Sequence, residues 1–192
     1  MVTDDWRRAT LDHRTRQSEA IAGAALSLLL ERGAPALTMA AIAAAADISR
    51  QTLYRYYPDI DAVLVGVAEL LASHDDHLET DVRAQPDPAA QLDVLVHTVT
   101  QAAGHDNPEA AALRATLPPA ARDVLTRHED RVTRLLADVL RDGIGRGVFR
   151  TDLEPESDAP LVLGLAAAAD PNNPGRALTL VHRIVSPEEN PI

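Results

Sequence analysis

Apolar side chains recur at helical spacing along most of the chain. Between about residues 15 and 32 they follow the i, i+4, i+7 and i+8 positions of one buried helical face, which are Ile21, Ala25, Leu28 and Leu29. No segment shows a convincing alternation of apolar and polar residues, so the sequence predicts no β-strand. The pattern therefore predicts an all-α protein.

Glycine, proline and capping residues divide the remaining pattern into further helices. One short helix follows Thr38, a second follows Ser49 and stops at Pro58, and a longer one runs from Asp59 to about residue 85. Beyond it the pattern predicts helices at about 89–104, 108–116, 119–142, 157–169 and 175–185. Residues 1–13 lack apolar periodicity and are predicted to form a loose arm ahead of the first helix.

Composition agrees with an all-α architecture and excludes several classes of function. Apolar residues make up 46% of the chain but aromatic residues only 3%, and the dominant alanine and leucine favour helices. Without cysteine, the chain can hold no disulfide, no thiol redox switch and no cysteine-ligated zinc ion. A polar start and the lack of a long apolar run lead us to expect a cytoplasmic protein, and no motif indicates a cofactor.

The distribution of charge matters more than its total. A formal net charge of −11 is unfavourable for contact with phosphates. Residues 1–66 carry seven arginines and eight acidic residues, a net charge of −1, whereas the remaining 11 arginines and 21 acidic residues give −10. The acidic excess therefore belongs to a C-terminal part, and an N-terminal contact with DNA is compatible with the composition.

Residues 38–57, TMAAIAAAADISRQTLYRYY, contain the parts of a helix-turn-helix: a short bracing helix, a tight turn and a capped second helix. Leu53 and Tyr57 are four residues apart and can pack inward on the first of these helices. The side chains left outside are Arg50, Gln51, Thr52, Tyr54, Arg55 and Tyr56. Arginine can pair with guanine and glutamine with adenine, while threonine and tyrosine hydroxyls can contact phosphates. The motif predicts a DNA-recognition helix.

The two predicted N-caps extend this set. Thr38 and Ser49 stand at helix starts, where backbone N–H groups and the positive end of the helix dipole favour a phosphate. We therefore count both among the candidate DNA-binding residues. Double-stranded DNA is the expected partner.

Residues 21–64, IAGAALSLLLERGAPALTMAAIAAAADISRQTLYRYYPDIDAVL, resemble the DNA-binding domain of the TetR family of transcriptional regulators. The resemblance implies a helix-turn-helix domain at 1–58 and a helical domain for ligand binding and dimerisation at 59–192. It also implies a homodimer that binds a palindromic operator as a repressor and is released by a small-molecule effector.

Individual positions carry over from the family motif. Thr38 matches the threonine that caps helix 2, and residues 50–52 match the base-reading start of helix 3. Tyr54 and Tyr56 match positions that contact phosphates. The family's dimer forms chiefly through the last two helices, which the resemblance places here at about 157–169 and 175–185.

Two positions depart from the family pattern. Asp47 stands where the family usually has the turn glycine, and Ile60 stands where it often has a lysine that binds phosphate. Aspartate tolerates left-handed backbone less well than glycine, and Asp59 and Asp61 add negative charge beside Ile60. These departures motivate an alternative, a TetR-like helical ligand-binding or protein-interaction module with weak or lost DNA binding.

Histidines and acidic residues give few signs of other chemistry. His74 and His128 interrupt apolar stripes, where they can bind a ligand in a pocket or be ordinary hydrogen-bonded residues. His74 and His77 are one helical turn apart, which suits a metal ion, but a solvated acidic helix end explains the spacing as well. Because no nucleophile, phosphate loop or acid pair forms a catalytic arrangement, we expect neither an enzyme nor a metal site.

Overall fold

The computed structural model describes residues 2–103, 114 and 117–187, with side chains from Arg14 onward except at positions 74–76 and 103. Within these residues the chain is all-α, as predicted, and has no β-strand. The helices are α1 (Val2–Arg32), α2 (Met39–Ala45), α3 (Arg50–Tyr56), α4 (Ile60–Ala72), α5 (His74–Arg83), α6 (Pro88–Ala103), α7 (Pro119–Gly145), α8 (Pro155–Ala167) and α9 (Pro174–Val185). A 3-10 turn at Ala34–Ala36 lies between α1 and α2. None of the described helices has the length and apolar character needed to cross a membrane.

Most helix ends fall where local signals in the sequence predict them. Helices α6 to α9 begin and end within three residues of the predicted positions. All four begin with a proline, whose fixed φ suits the first helical turn and whose missing N–H is not needed there. These boundaries were predictable because each depends on only a few neighbouring residues.

The predicted N-terminal arm is wrong. Helix α1 begins at Val2, so most of residues 1–13 are helical and α1 is 31 residues long. Missing apolar periodicity argues only against a core-facing stripe and does not exclude a helix, because alanine, arginine and leucine all have high helix propensity.

The long helix predicted from Asp59 to about residue 85 is also wrong in part, since it breaks at Ser73 into α4 and α5. The Ser73 hydroxyl donates to the Leu70 carbonyl oxygen at 2.8 Å. Such a side-chain bond to the backbone competes with continuation of the helix. The predicted helix at 108–116 lies outside the described residues apart from Arg114.

The described residues form two compact units, which we call the head and the body. The head contains residues 2–73, 114 and 117–126, and the body contains residues 74–103 and 127–187. Helix α4 packs against α1 and thus belongs to the head. The functional division between residues 58 and 59 stays a prediction.

One face from each of α1 to α4 forms the core of the head. Ile21, Ile42, Leu53 and Val63 come from these four helices, one from each, and are fully buried. Burying an aliphatic side chain of this size contributes about 1.5–3 kcal/mol. Packing of these apolar faces therefore holds the helix-turn-helix against α1 and α4.

The body packs α5, α6, α8 and α9 together with the second part of α7. Its fully buried side chains include Leu92, Leu95, Leu136, Leu140 and Val181. Among the described residues of this core, Thr100 is the buried polar side chain, and its hydroxyl donates to the Ala166 carbonyl oxygen at 3.0 Å. That bond satisfies the hydroxyl and joins α6 to α8.

Candidate nucleic-acid interface

Side-chain caps define the start of both helices of the helix-turn-helix, as predicted. The Thr38 hydroxyl oxygen accepts a hydrogen bond from the Ala41 amide at 3.1 Å. The Ser49 hydroxyl oxygen accepts one from the Thr52 amide at 3.0 Å. Each cap satisfies a backbone donor that the helix itself leaves without a partner, which contributes about 1 kcal/mol.

The turn between α2 and α3 is a Schellman motif with aspartate at its left-handed position. The Ile48 amide donates to the Ala43 carbonyl at 3.0 Å, and the Asp47 amide donates to the Ala44 carbonyl at 3.3 Å. Asp47 has φ +52°, and no other described residue apart from glycine has a positive φ. The strain expected from aspartate at the usual glycine position is therefore present in the backbone.

The inner face of α3 fastens the recognition helix to the head. Leu53 is fully buried, and Tyr57 just after the helix is half-buried. The Tyr57 hydroxyl donates to the Ser18 carbonyl oxygen on α1 at 3.2 Å, and burial raises the pKa of this phenol. Its ring also lies against Gly66 of α4, where an added Cβ would be 2.4 Å from the Tyr57 hydroxyl oxygen.

Sequence reasoning predicted that Tyr57 packs inward but missed both Ser18 and Gly66. No local signal identifies either partner, because one lies on α1 and the other on α4.

The outer face of α3 carries most of the predicted DNA-binding side chains. Arg50, Gln51 and Arg55 are exposed, and Tyr54 is 54% exposed. Among the described residues, neither arginine has an acidic side chain within ion-pair distance, so both guanidinium groups face solvent. A row of cationic, amide and phenol groups is therefore available on one exposed helix.

Two predicted contacts are less exposed than the rest. Thr52 is half-buried, and its hydroxyl lies 2.8 Å from the Ser49 hydroxyl, within hydrogen-bond distance. Tyr56 is half-buried and packs partly against the core of the head. Its hydroxyl remains a candidate contact, whereas its ring also has a structural role that sequence reasoning did not assign.

Ile60, the position at which the resemblance leads one to expect a lysine, has a packing role. Ile60 is half-buried and packs against the core of the head. Asp59 caps α4, and its carboxylate accepts from the Ala62 amide at 2.8 Å. An aspartate just before an apolar run is an N-cap signal, so this role was visible in the sequence. Asp61 is exposed in the first turn, where the helix dipole favours its charge.

One of the two candidate ligand-binding histidines has a described side chain. The side chain of His74 lies outside the described residues. His128 is half-buried on α7, and its assignment to a ligand stays a prediction. Among the described residues, no group of three or more histidine, aspartate or glutamate side chains could hold a metal ion.

Comparisons with known proteins point to one group of regulators. Residues 21–67 match the family model "Bacterial regulatory proteins, tetR family". Escherichia coli NemR in its reduced form is 16% identical, with a TM-score of 0.74 over 90% of this chain and 99% of that chain. A TetR transcription regulator from Haloarcula marismortui is 24% identical, with a TM-score of 0.72 over 88% and 95%.

FadR from Bacillus subtilis, solved in complex with stearoyl-CoA, is 16% identical, with a TM-score of 0.69 over 84% of this chain and 96% of that chain. None of the curated protein sequences compared with this chain matches it.

The two kinds of likeness cover different parts of the molecule. The structural likeness spans almost the whole chain, but at these identities it shows a shared fold. The sequence match covers the part of the head that contains α2, α3, their caps and the turn between them. Residues 21–67 therefore match the tetR family of bacterial regulatory proteins, and the fold of the chain is similar to that of the solved regulators.

Proposed function

We propose that this protein represses transcription by binding a palindromic operator as a homodimer and that a small-molecule effector releases it. The exposed outer face of α3 carries the proposal, because two side-chain caps and the buried Leu53 hold this face in place. A short helix that is fastened on one side and polar on the other suits the major groove of DNA.

The side chains on this face divide into two roles. Arg50, Gln51 and Thr52 stand at the start of α3 and would read base edges. Tyr54, Arg55 and Tyr56 would bind phosphates and position the helix.

Thr38 and Ser49 would contribute through their hydroxyl groups. Thr38 is exposed, and its oxygen accepts from the helix, which leaves the hydroxyl hydrogen available for a phosphate. The Ser49 hydroxyl is shared with Thr52, so we assign Ser49 mainly to capping and only secondarily to DNA.

A second copy of the chain would pack against α8 and α9. Leu161 on α8 is 70% exposed and Ile184 on α9 is 44% exposed, and both would be covered in a dimer. Two recognition helices would then enter successive major grooves about 34–36 Å apart, or a multiple of that distance. This geometry requires an operator with two-fold symmetry.

The effector would bind in the body and favour a dimer in which the heads are wrongly spaced for the operator. FadR from Bacillus subtilis, which shares the fold, holds stearoyl-CoA. A regulator of this kind needs no catalysis, since differential affinity of the effector for two states is enough. It would act in the cytoplasm, where bacterial DNA is.

Fluorescence anisotropy on labelled DNA from beside the protein's own gene tests the proposal. We expect tight binding that weakens as salt is added, because phosphate contacts release counterions. Arg50→Ala should weaken binding about tenfold or more, as expected for loss of a bidentate base contact. Arg134→Ala, which removes an exposed arginine of α7, is the matched control and should bind as the wild type does.

The alternative is a helical interaction module that has kept the head but lost DNA binding. The left-handed Asp47, the uncharged Ile60 and the acidic body favour it. Lack of binding at low salt, both to the gene's own flank and to a pool of random operators, would replace the first proposal with this one.

A further inference from the structure

The body contains an open cavity of about 690 Å³ between α6, α9 and the segment that follows α7. Its walls include Asp93, Arg150, Leu178, His182 and Arg183. Pockets for small ligands have volumes of this order and combine apolar walls with a few charged groups.

Three of the ionisable side chains in the wall have partners, either in the wall or beside it. Nε2 of His182 lies 2.6 Å from a carboxylate oxygen of Asp93, which joins α9 to α6. The guanidinium group of Arg150 donates twice to the Asp152 carboxylate, each time at 2.5 Å. Arg183 is different, because it is exposed and has no ion-pair partner among the described residues. Among the described residues of this wall, Arg183 is therefore the cationic group that is left for a ligand, in a chain whose formal net charge is −11.

Two of the carbonyl groups at the end of α9 have hydrogen-bond partners. Carbonyl groups at a helix C-terminus normally repel an anion. Here the Val185 carbonyl accepts from the Arg150 amide at 2.8 Å, and the His182 carbonyl accepts from the Ser186 amide at 2.8 Å. The backbone thus satisfies these carbonyl groups, and the guanidinium group of Arg183 is left to interact with a ligand.

The rest of the wall is suited to a short apolar group. Leu178 is half-buried and packs against the core of the body, and Pro187 also lines the cavity. The Thr179 hydroxyl donates to the Gly175 carbonyl at 2.8 Å, so it presents its methyl group or oxygen lone pairs and no donor. A cation beside an apolar surface suits a ligand with one negative charge and a small hydrocarbon part.

We propose that this cavity binds a small monocarboxylate with a short alkyl chain, with its carboxylate on Arg183 and its chain against Leu178 and Pro187. The inference deepens the proposed function and rests on it only in naming the class of effector. The site joins α6, α9 and the segment after α7, so a ligand there would bear directly on α9, one of the two proposed dimer helices.

Isothermal titration calorimetry of the full chain with sodium hexanoate, in the absence of DNA, tests the site. We expect saturable binding of hexanoate and none of 1-hexanol, which has the same chain without the charge. Arg183→Gln should weaken hexanoate binding about tenfold or more, as expected for loss of a charge-assisted contact. Arg176→Gln, an exposed arginine on the same helix outside the cavity, should leave binding within about twofold of the wild type.

Thr179→Leu provides a second, independent variant because it fills the cavity without removing charge, and it should also weaken binding. The inference is overturned if hexanoate does not bind at 10 mM (about the weakest affinity of interest), if hexanol binds equally well, or if neither variant changes the affinity. If hexanoate binds as expected but DNA does not, the site stands and only the repressor function fails.

Discussion

The head and the body each hold an aromatic ring against a helical glycine, and they do so with different residues. In the body, Phe149 is 2% exposed and lies against Gly143, where an added Cβ would be 2.0 Å from the ring. In the head, the half-buried Tyr57 lies against Gly66, where the corresponding distance is 2.4 Å. Both contacts require glycine because no side chain fits beneath the ring.

The two contacts differ in how far apart their partners lie in the chain. Phe149 follows Gly143 by six residues, and the amides of Val148 and Phe149 both donate to the Gly143 carbonyl, at 2.8 and 3.2 Å. Tyr57 instead reaches Gly66 on α4 and the Ser18 carbonyl on α1, 39 residues earlier. The body therefore closes a helix end locally, whereas the head uses a polar-tipped ring to hold α3 between two other helices.

The head and the body also differ in the residue that each places at a left-handed turn. Gly147 has φ +71° after α7, and Asp47 has φ +52° after α2. Both turns are Schellman motifs, since the Val148 amide donates to the Gly143 carbonyl as the Ile48 amide donates to the Ala43 carbonyl. The body thus uses the residue that suits the backbone, whereas the head keeps an aspartate at some cost in stability.

The largest expected effect is that of Gly143→Ala. The new Cβ would displace a fully buried ring, and overpacking of this kind costs about 2 to 3 kcal/mol of the free energy of unfolding. Urea denaturation followed by circular dichroism measures the loss. Gly145→Ala is the matched control, because a Cβ there meets nothing within 4 Å. Equal stability of the two variants would show that the contact of Phe149 with Gly143 does not stabilise the body.

Gly66→Ala should cost less, about 1 to 2 kcal/mol, because the half-buried Tyr57 ring can move toward solvent. Movement of this ring shifts α3, so affinity for operator DNA should fall as well. Gly23→Ala on α1 is the control, since its nearest neighbour would be Leu70 at an ordinary 3.9 Å. A stable variant with unchanged DNA affinity would show that Tyr57 does not position the recognition helix.

Tyr57→Phe, which makes the head resemble the body, should cost about 1 kcal/mol through the lost bond to Ser18. The raised pKa of Tyr57 means that the folded state holds the phenol proton more tightly than the unfolded state. The stability that comes from the protonated phenol is complete below the ordinary pKa of 10.0. It is lost as the pH rises through the higher pKa that Tyr57 has in the folded protein.

Denaturation at several alkaline pH values checks this sign. The variant should lose less stability above pH 10 than the wild type does, and an identical pH dependence would contradict the assignment.

Asp47→Gly should give the smallest effect, a gain of roughly 0.5 kcal/mol. Relief of the left-handed strain is partly offset by the greater freedom of glycine in the unfolded chain. Gly147→Asp is the reciprocal variant and should lose stability by a similar or larger amount. Thermal unfolding of both compares the two turns directly, and a loss of stability in Asp47→Gly would mean that the aspartate side chain makes a compensating contact.

Part of the candidate interface was predictable and part was not. Thr38, Ser49 and the exposed side chains of α3 follow from cap signals and helical spacing within a few residues. The partial burial of Tyr56 and the packing of Ile60 depend on which helices meet around these side chains. Helical spacing gives a residue's direction on its own helix and does not give the surface that faces it.

The sequence by itself determined most of the helices, the caps at Thr38 and Ser49, the turn at Asp47 and the apolar stripes of the two cores. These features depend on interactions within about five residues, or on the amount of apolar surface that each helix must bury. Only the tertiary structure decided that Tyr57 bonds to Ser18 and lies on Gly66, and that His182 meets Asp93 beside a cavity. These contacts join residues far apart in the chain, and close packing of particular helix faces selects them.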